Sequence, residues 1–464
     1  MKNFTKLALA TLLASSTTAQ GETLAEIYQL ALENDATFKA SEARFLIDQE
    51  AIVAPRKNLL PSFAENASIG YGLGAGKSRS RQDNTPLSQT RTSDGIKTFS
   101  VDGLNYSFNV RNWFDFKAAG HDLERAEAQF ALDQQNLIVR VVGAYLDVLR
   151  ASEALRIARS NETESSQRLQ NAKERFSVGL VAITDVHQAQ STFDNAVVAV
   201  LQAEGDFAIR FEALEVLTGK RHFELSGLKN DFPIDDPEPL DREQWVDFSL
   251  QNNNSLKIAK STQESTVDRA KGSQYNYTPT VSVTVGGFRY TDTPGSVIDF
   301  GNGPFLTNAR ESSSYRDTNV RVSVPIFTWG LNQSQRKVAA QQKVQAHHNY
   351  VGARRQVIQS ARTSFLTAKT NAARVRALDS AVTSAESAYK ATLSGYEVGT
   401  QNILDVLSEQ SRLFQAQQNY ANARYDYILS FMELKLQSGQ LSPEDVFTLN
   451  GWLEDSAKVI KEKG

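Results

Sequence analysis

Residues 175 to 186 read RFSVGLVAITDV, and residues 395 to 406 read GYEVGTQNILDV. At a constant offset of 220, Val178, Gly179, Ile183, Asp185 and Val186 fall on Val398, Gly399, Ile403, Asp405 and Val406, and the register holds without a gap to Gly219 and Gly439. Within that window 13 of 45 positions are identical, where chance at average residue usage gives roughly three. Whatever this chain folds into must therefore be built twice.

The duplication extends well beyond that window. ALENDATFKA from Ala31 lies on SLQNNNSLKI from Ser249, Pro61 pairs with Pro279, and Phe108 pairs with Phe327. The expected organisation is a first repeat over 20–220, a connector over 221–241, a second repeat over 242–439 and a terminal segment over 440–464.

Residues 87 to 232 and 326 to 441 contain no proline and are dominated by Ala, Gln, Leu, Arg and Glu, the residues that lose least on entering a helix. Val186, Phe193, Val200, Phe207 and Leu214 recur every seven residues, as do Val406, Leu413, Tyr420, Tyr427 and Leu434. A strict seven-residue repeat keeps one seam on a partner only if the helices supercoil left-handedly. Upstream of each repeated turn, Phe114 to Arg175 and Leu331 to Tyr396 continue the helical pattern. At 1.5 Å per residue each is about 90–100 Å long. The reading is two long helical hairpins, with Gly179 and Gly399 ending the long helices and Thr184 or Asp185 capping the first returning helix.

The remaining segments alternate with period two. PSFAENASIGYGLG from Pro61 puts Phe63, Ala67, Ile69, Tyr71 and Leu73 on one face; TVSVTVGGFRY gives Val281, Val283 and Val285; NVRVSVPIF gives Val320, Val322, Val324 and Ile326 opposite Arg321 and Ser323. FSVDGLNYSFNV changes phase at Gly103, which predicts a bulge there. Each strand is about ten residues, the length of a tilted outer-membrane strand. Residues 75–97 and 291–315, rich in Gly, Ser, Thr, Asn, Asp and Arg, read as exposed loops. Four strands cannot close, because the smallest barrels use about eight. Three copies give twelve strands, six long helices and six returning ones.

The amino terminus has Lys2 and Lys6 before an apolar run from Leu7 to Ala14 and small residues to Ala19, the pattern of a secretory signal peptide over 1–19. No cysteine is present, so neither disulfides nor acylation of a cysteine enters the account. The formal net charge of −3 is not that of a nucleic-acid binder. The most apolar helical stretch, from Ile138 to Ala158, carries Arg140, Asp147, Arg150 and Glu153, so no spanning helix is expected. Export without one leaves a soluble exported protein or an outer-membrane barrel.

No catalytic constellation is present. The five histidines, at 121, 187, 222, 347 and 348, accompany no nucleophile motif or acid pair. His347 and His348 are adjacent, on diverging helical faces, and make poor joint metal ligands. GYGLGAG at Gly70 lacks the ending of a phosphate loop. Neither an enzyme, a cofactor nor a metal is expected.

VGLVAITDV from Val178 and YEVGTQNILDVL from Tyr396, in the order helix, two strands, long helix, turn and returning helix repeated once, resemble the TolC outer-membrane efflux proteins. The resemblance implies an α/β membrane protein: a TolC-like homotrimer with a shared 12-stranded outer-membrane β-barrel, four strands per chain, above a long periplasmic α-helical coiled-coil barrel. It implies a passive exit duct of a tripartite efflux or type I secretion system, two roles the sequence does not separate. The partners implied are a periplasmic adaptor (membrane fusion) protein and an inner-membrane pump or ABC exporter. Val178, Gly179 and Leu180, with Val398, Gly399 and Thr400, would dock the adaptor; Thr184, Asp185, Tyr396 and Gln401 would latch the closed entrance; Asp405 and Ser408 would line its constriction. Gln401 and Ser408 stand where the family pattern has an arginine and a second aspartate, which implies a weaker latch and a weaker cation preference. The alternative from another class is a trimeric coiled-coil surface structural protein or adhesin, which explains the heptads and the export signal but not the duplicated strand pairs.

Overall fold

A computed structural model describes residues 22–63, 89–92, 95–229, 231–293, 296–299, 304–307 and 312–461. The expected signal peptide, the Gly70 run and most of the strand from Pro61 lie outside the described residues, as do parts of both expected loops. The first half runs α1 (Leu24–Asn34), α2 (Ala36–Glu50), α3 (Val53–Lys57), β1 (Ser62–Phe63), β2 (Gln89–Thr92), β3 (Gly95–Phe108), α4 (Val110–Ser177) and α5 (Ile183–Thr218). The second runs β4 (Glu224–Leu228), α6 (Arg242–Asn252), α7 (Asn254–Gln274), β5 (Thr280–Thr293), β6 (Ser296–Asp299), β7 (Pro304–Thr307), β8 (Ser312–Ser323), α8 (Leu331–Glu397), α9 (Ile403–Ser438), α10 (Pro443–Asn450) and β9 (Leu453–Ile460).

The duplication is visible at the chain breaks. Asp35 separates α1 from α2 and its carboxylate accepts from the Phe38 amide at 2.6 Å; Asn253 separates α6 from α7 and its side-chain oxygen accepts from the Leu256 amide at 3.1 Å. A side-chain acceptor three residues before an otherwise unpaired amide is what starts a helix. α5 and α9 both end at a glycine with positive φ, Gly219 and Gly439.

The residues fall into two compact units that cut across the repeats. One holds 1–44, 128–257 and 352–464; the other holds 45–127 and 258–351. In the first, the apolar stretch of α4 supplies Leu137, Ile138, Val141, Val142, Tyr145, Leu146 and Leu149 to the core, all buried. Its charges are paired: Arg140 donates to Asp35 at 3.1 Å and Arg150 to Asp426 at 2.7 Å. Of the ten heptad positions, Val200, Phe207, Leu214, Val406, Leu413, Tyr427 and Leu434 are buried, while Val186, Phe193 and Tyr420 are half-buried. The connector and the terminal segment meet, since β4 pairs antiparallel with β9, and Tyr145 donates to the Ser226 carbonyl at 2.6 Å beneath them. No described helix is long and apolar enough to cross a membrane.

In the second unit β1, β3, β5 and β8 form an antiparallel sheet in that order. The β3–β5 register shifts between Val101 and Leu104, so the bulge falls at the phase change of the sequence. Gly103 is required there, because an added Cβ would collide with the carbonyl oxygen of Val285. On β8 and beyond, Val320, Val322, Val324 and Ile326 are all exposed. An exposed row of aliphatics along a strand is the pattern of a surface meant for lipid. β5 runs 14 residues and β8 12, longer than the sequence reading; β8 starts within the segment expected as a loop and ends at Ser323, so Val324 and Ile326 lie past the strand they were expected on.

Candidate functional site: two helical tips

Both long helices end in the same hydrogen-bond pattern. At the first tip Gly179 has φ +77, its amide donates to the Phe176 carbonyl at 2.9 Å, and the Leu180 amide donates to the Arg175 carbonyl at 2.9 Å. At the second, Gly399 has φ +83, its amide donates to Tyr396 at 3.1 Å, and the Thr400 amide donates to Gly395 at 2.8 Å. This paired closure, with a left-handed residue after the last turn, is a Schellman motif, and it strongly favours glycine at that residue. An added Cβ at either glycine would meet no atom within 4 Å, so the backbone is open to approach from outside. Around it Val178, Leu180 and Val398 are exposed at 69, 72 and 77%, and Thr400 is exposed beside them.

The returning helices start differently. α9 has Asn402 as its cap: the Asp405 amide donates to the Asn402 side chain at 3.0 Å and the Asn402 amide donates to the Asp405 carboxylate at 3.3 Å, a closed capping box. α5 is capped by neither Thr184 nor Asp185, contrary to the sequence reading. Its N-cap is Ala182, which has no side-chain acceptor, and both residues already lie inside the first turn. The Thr184 hydroxyl donates instead to Asp185 at 3.4 Å.

The interior differs too. Under the second tip, Tyr389, Tyr396, Ile403, Val406, Leu407 and Leu413 form a buried cluster. Under the first, only Leu169, Ala172 and Ala189 are buried together, with Val186 and Phe193 partly covered. Tyr389 donates to Glu164 at 3.0 Å. Burial, and then the neighbouring Glu164 carboxylate, push its phenol up to about 12. α9 is further tied to α4 by Gln410, which donates to Asn161 and to Ser165 at 3.1 Å each.

Within the chain, the expected latch pair Thr184 and Asp185, bonded to each other, is joined to neither Tyr396 nor Gln401. Tyr396 is buried and its hydroxyl has no hydrogen-bond partner. Thr184 and Gln401 are exposed, Asp185 is half-buried, and Gln401 folds back against Gly395. Asp405 and Ser408 are exposed one turn apart, with the Asp405 carboxylate engaged in the cap. The residue that does bridge the tips is Arg175. Its guanidinium lies 4.5 Å from the centre of the Tyr396 ring, and it donates to the Tyr396 carbonyl at 3.2 Å and the Glu397 carbonyl at 3.1 Å. A cation on the last carbonyls of a helix is favoured by its dipole, and the ring face adds a second attraction. Gly395 occupies the duplicated position, so nothing reciprocates. Arg175 stands inside the repeated motif, yet sequence alone gives no sign of a contact 221 residues away.

The arrangement offers no reacting group; it offers a pair of backbone-exposed, apolar-rimmed tips on long helices. Comparison with known proteins accords with that. The family profile for outer membrane efflux proteins matches residues 27–220 and 245–440. Over 462 residues the chain is 33% identical to the outer membrane protein TolC of Vibrio cholerae serotype O1, covering 98% of each chain. The proteases secretion protein PrtF of Dickeya chrysanthemi is 22% identical over 454 residues, 97% of this chain and 95% of the relative. The solved outer membrane protein VceC of Vibrio cholerae superposes with a TM-score of 0.70 at 17% identity, over 90% of this chain and 96% of that one. At that identity the likeness speaks for the fold alone.

Proposed function

The chain belongs to the outer membrane efflux protein family, as an outer-membrane exit duct and not an enzyme, and on that premise we propose that three copies share one twelve-stranded barrel and dock a periplasmic adaptor at their six tips. The observation that carries the trimer is the sheet β1-β3-β5-β8, whose outer edges pair with no other strand among the described residues. Lipid does not tolerate unpaired strand edges. Three four-stranded sheets closing on each other remove all of them.

Docking rests on the glycine tips. Val178, Gly179, Leu180, Val398, Gly399 and Thr400 present exposed side chains and an open backbone together, a surface that suits the tip of a partner's hairpin. The adaptor couples the duct to an inner-membrane pump or ABC exporter, which supplies the energy. At the entrance, Asp405 forms a single ring of three carboxylates, and Ser408 leaves the second ring uncharged. Thr184, Asp185, Tyr396 and Gln401 meet across neighbouring chains in the closed trimer, with Gln401 giving a neutral bond about half as strong as a charged one.

Cross-linking of the full-length protein in detergent tests the assembly. A ladder ending at three is expected, and one ending at two or four overturns the shared barrel. A surface stalk would instead be accessible to protease on whole cells and absent from the outer-membrane fraction.

A further inference from the structure

Away from the tips, α4 and α7 bring together donors that no motif announced. His121 Nδ1 lies 3.0 Å from Glu124 Oε2 and 3.5 Å from Glu264 Oε2, and these three ligand atoms all fall within 4.8 Å of one another. One ring nitrogen carries at most one proton, so it can satisfy only one of the two carboxylates by hydrogen bonding. On the other side of the ring, Nε2 faces the Asp268 carboxylate at 3.7 Å, whose side chain is only 10% exposed. We propose that His121, Glu124 and Glu264 bind a divalent transition-metal ion, Zn2+ by ligand chemistry, with Asp268 orienting the imidazole from behind.

The distances suit such an ion. Ligands about 2.1 Å from a metal stand roughly 3.0–3.4 Å from each other in octahedral or tetrahedral geometry, close to the two separations measured here. A carboxylate hydrogen-bonded to the far nitrogen is the usual partner of a metal-bound histidine, because it fixes the tautomer and makes the ring more basic; Asp268 at 3.7 Å faces that nitrogen and would close to bonding distance when the ring binds an ion. Asp268 is itself held by Lys271 at 2.8 Å, while Lys260 reaches Glu264 only at 4.0 Å. The excess negative charge is therefore left on the two proposed ligands.

The two helices are fixed on the flank of the site. Asp122, next to His121, accepts from Ser265 at 2.8 Å and pairs with Arg269. Further along, Phe114 stacks on Tyr275 at 5.3 Å, and Gly272 permits the close approach of α7 to Phe114. Donors presented from locked helices lose little on binding.

The fold itself does not demand these residues. In the duplicated half, offsets of 219 and 220 set His121 on Ala340 and Gln341, and Glu124 on Lys343 and Val344, while the offset of 218 sets Glu264 on Leu46. The duplicated positions, on α8 and α2, keep the helices without the donors, so the cluster is not a packing requirement of the architecture. A bound ion would cross-link α4 and α7 once per chain.

The test uses the full-length protein in detergent, stripped with a chelator and titrated with Zn2+ by calorimetry, with bound metal counted by mass spectrometry. One ion per chain is expected. His121→Ala and Glu264→Gln should each abolish that stoichiometric binding, and Asp268→Asn should weaken it at least about tenfold. A double variant His347→Ala and His348→Ala should bind as the parent does. The isosteric Glu264→Gln decides the matter if His121→Ala fails to assemble, as judged from its cross-linked ladder. No stoichiometric zinc in the parent protein, unchanged affinity in Glu264→Gln, or loss in the His347/His348 variant overturns the site.

Discussion

The two tips share a turn and differ in what supports it. Gly179 and Gly399 close the long helices with the same pair of hydrogen bonds. Behind the second, Ile403 and Val406 are 2% and 0% exposed, two tyrosines are packed in, and Asn402 caps the return. Behind the first, Ile183 is 46% exposed and the return starts from Ala182. Fully burying one such aliphatic stabilises by about 1.5–3 kcal/mol relative to leaving it in water. The second hairpin therefore carries its own support, whereas the first leaves apolar surface exposed. Arg175 is the link nearest the turns between the two hairpins, with Tyr389 on Glu164 and Gln410 on Asn161 and Ser165 further back.

The most severe way to break the shared part is to replace Gly179 and Gly399 together by leucine. Transport should be abolished while the cross-linked trimer persists, because the backbone is strained by about 1–2 kcal/mol per site and the approach to it is blocked. Loss of the trimer itself would mean the glycines serve only the fold. Next, Ile403→Ala should destabilise the second tip by about 2–5 kcal/mol, against less than about 1 kcal/mol for Ile183→Ala, read as hydrogen exchange in the first turns of α9 and α5. Equal effects would erase the distinction drawn between the tips.

Removing the link comes third. Arg175→Ala should cost the end of α8 about 1–3 kcal/mol and raise single-channel conductance; protection unchanged at residues 396–400 would show that Arg175 is idle. The caps can be exchanged: Asn402→Ala should lose about 1 kcal/mol and Ala182→Asn should gain a similar amount, measured by the same exchange. The smallest effect is with pH. The Tyr389 phenol is raised from its usual value of about 10 to about 12, so its contribution is intact below pH 10 and is lost as pH climbs between those values. The ultraviolet difference between the parent and Tyr389→Phe should show a phenol titrating late; one that ionises near 10 would contradict the burial.

What could be read beforehand was what is local in sequence. The seven-residue seams, the glycines at the turns and the phase change at Gly103 each leave a mark within a few residues of themselves, and the structure has them. The cap of α5 is not legible because the sequence offers two good capping residues, Thr184 and Asp185, two and three positions too late, and the helix starts from Ala182 instead. Arg175 on Tyr396, Tyr389 on Glu164 and His121 beside Glu264 join residues more than 140 positions apart. Only the packing of one long helix on another creates such pairs, and no single-sequence pattern encodes it.

The matched breaks at Asp35 and Asn253 bear on how such a molecule arose. Each repeat on its own holds one pair of strands and one hairpin, and six such units closing a ring would have six identical tips. In the proposed trimer, two fused copies per chain lower the symmetry of such a ring from sixfold to threefold and release half the tips from having to resemble the other half. Asn402 against Ala182, and Arg175 at the position that Gly395 holds in the other copy, are differences of the kind that freedom allows: one tip carries its own cap and buried cluster, and the other does not.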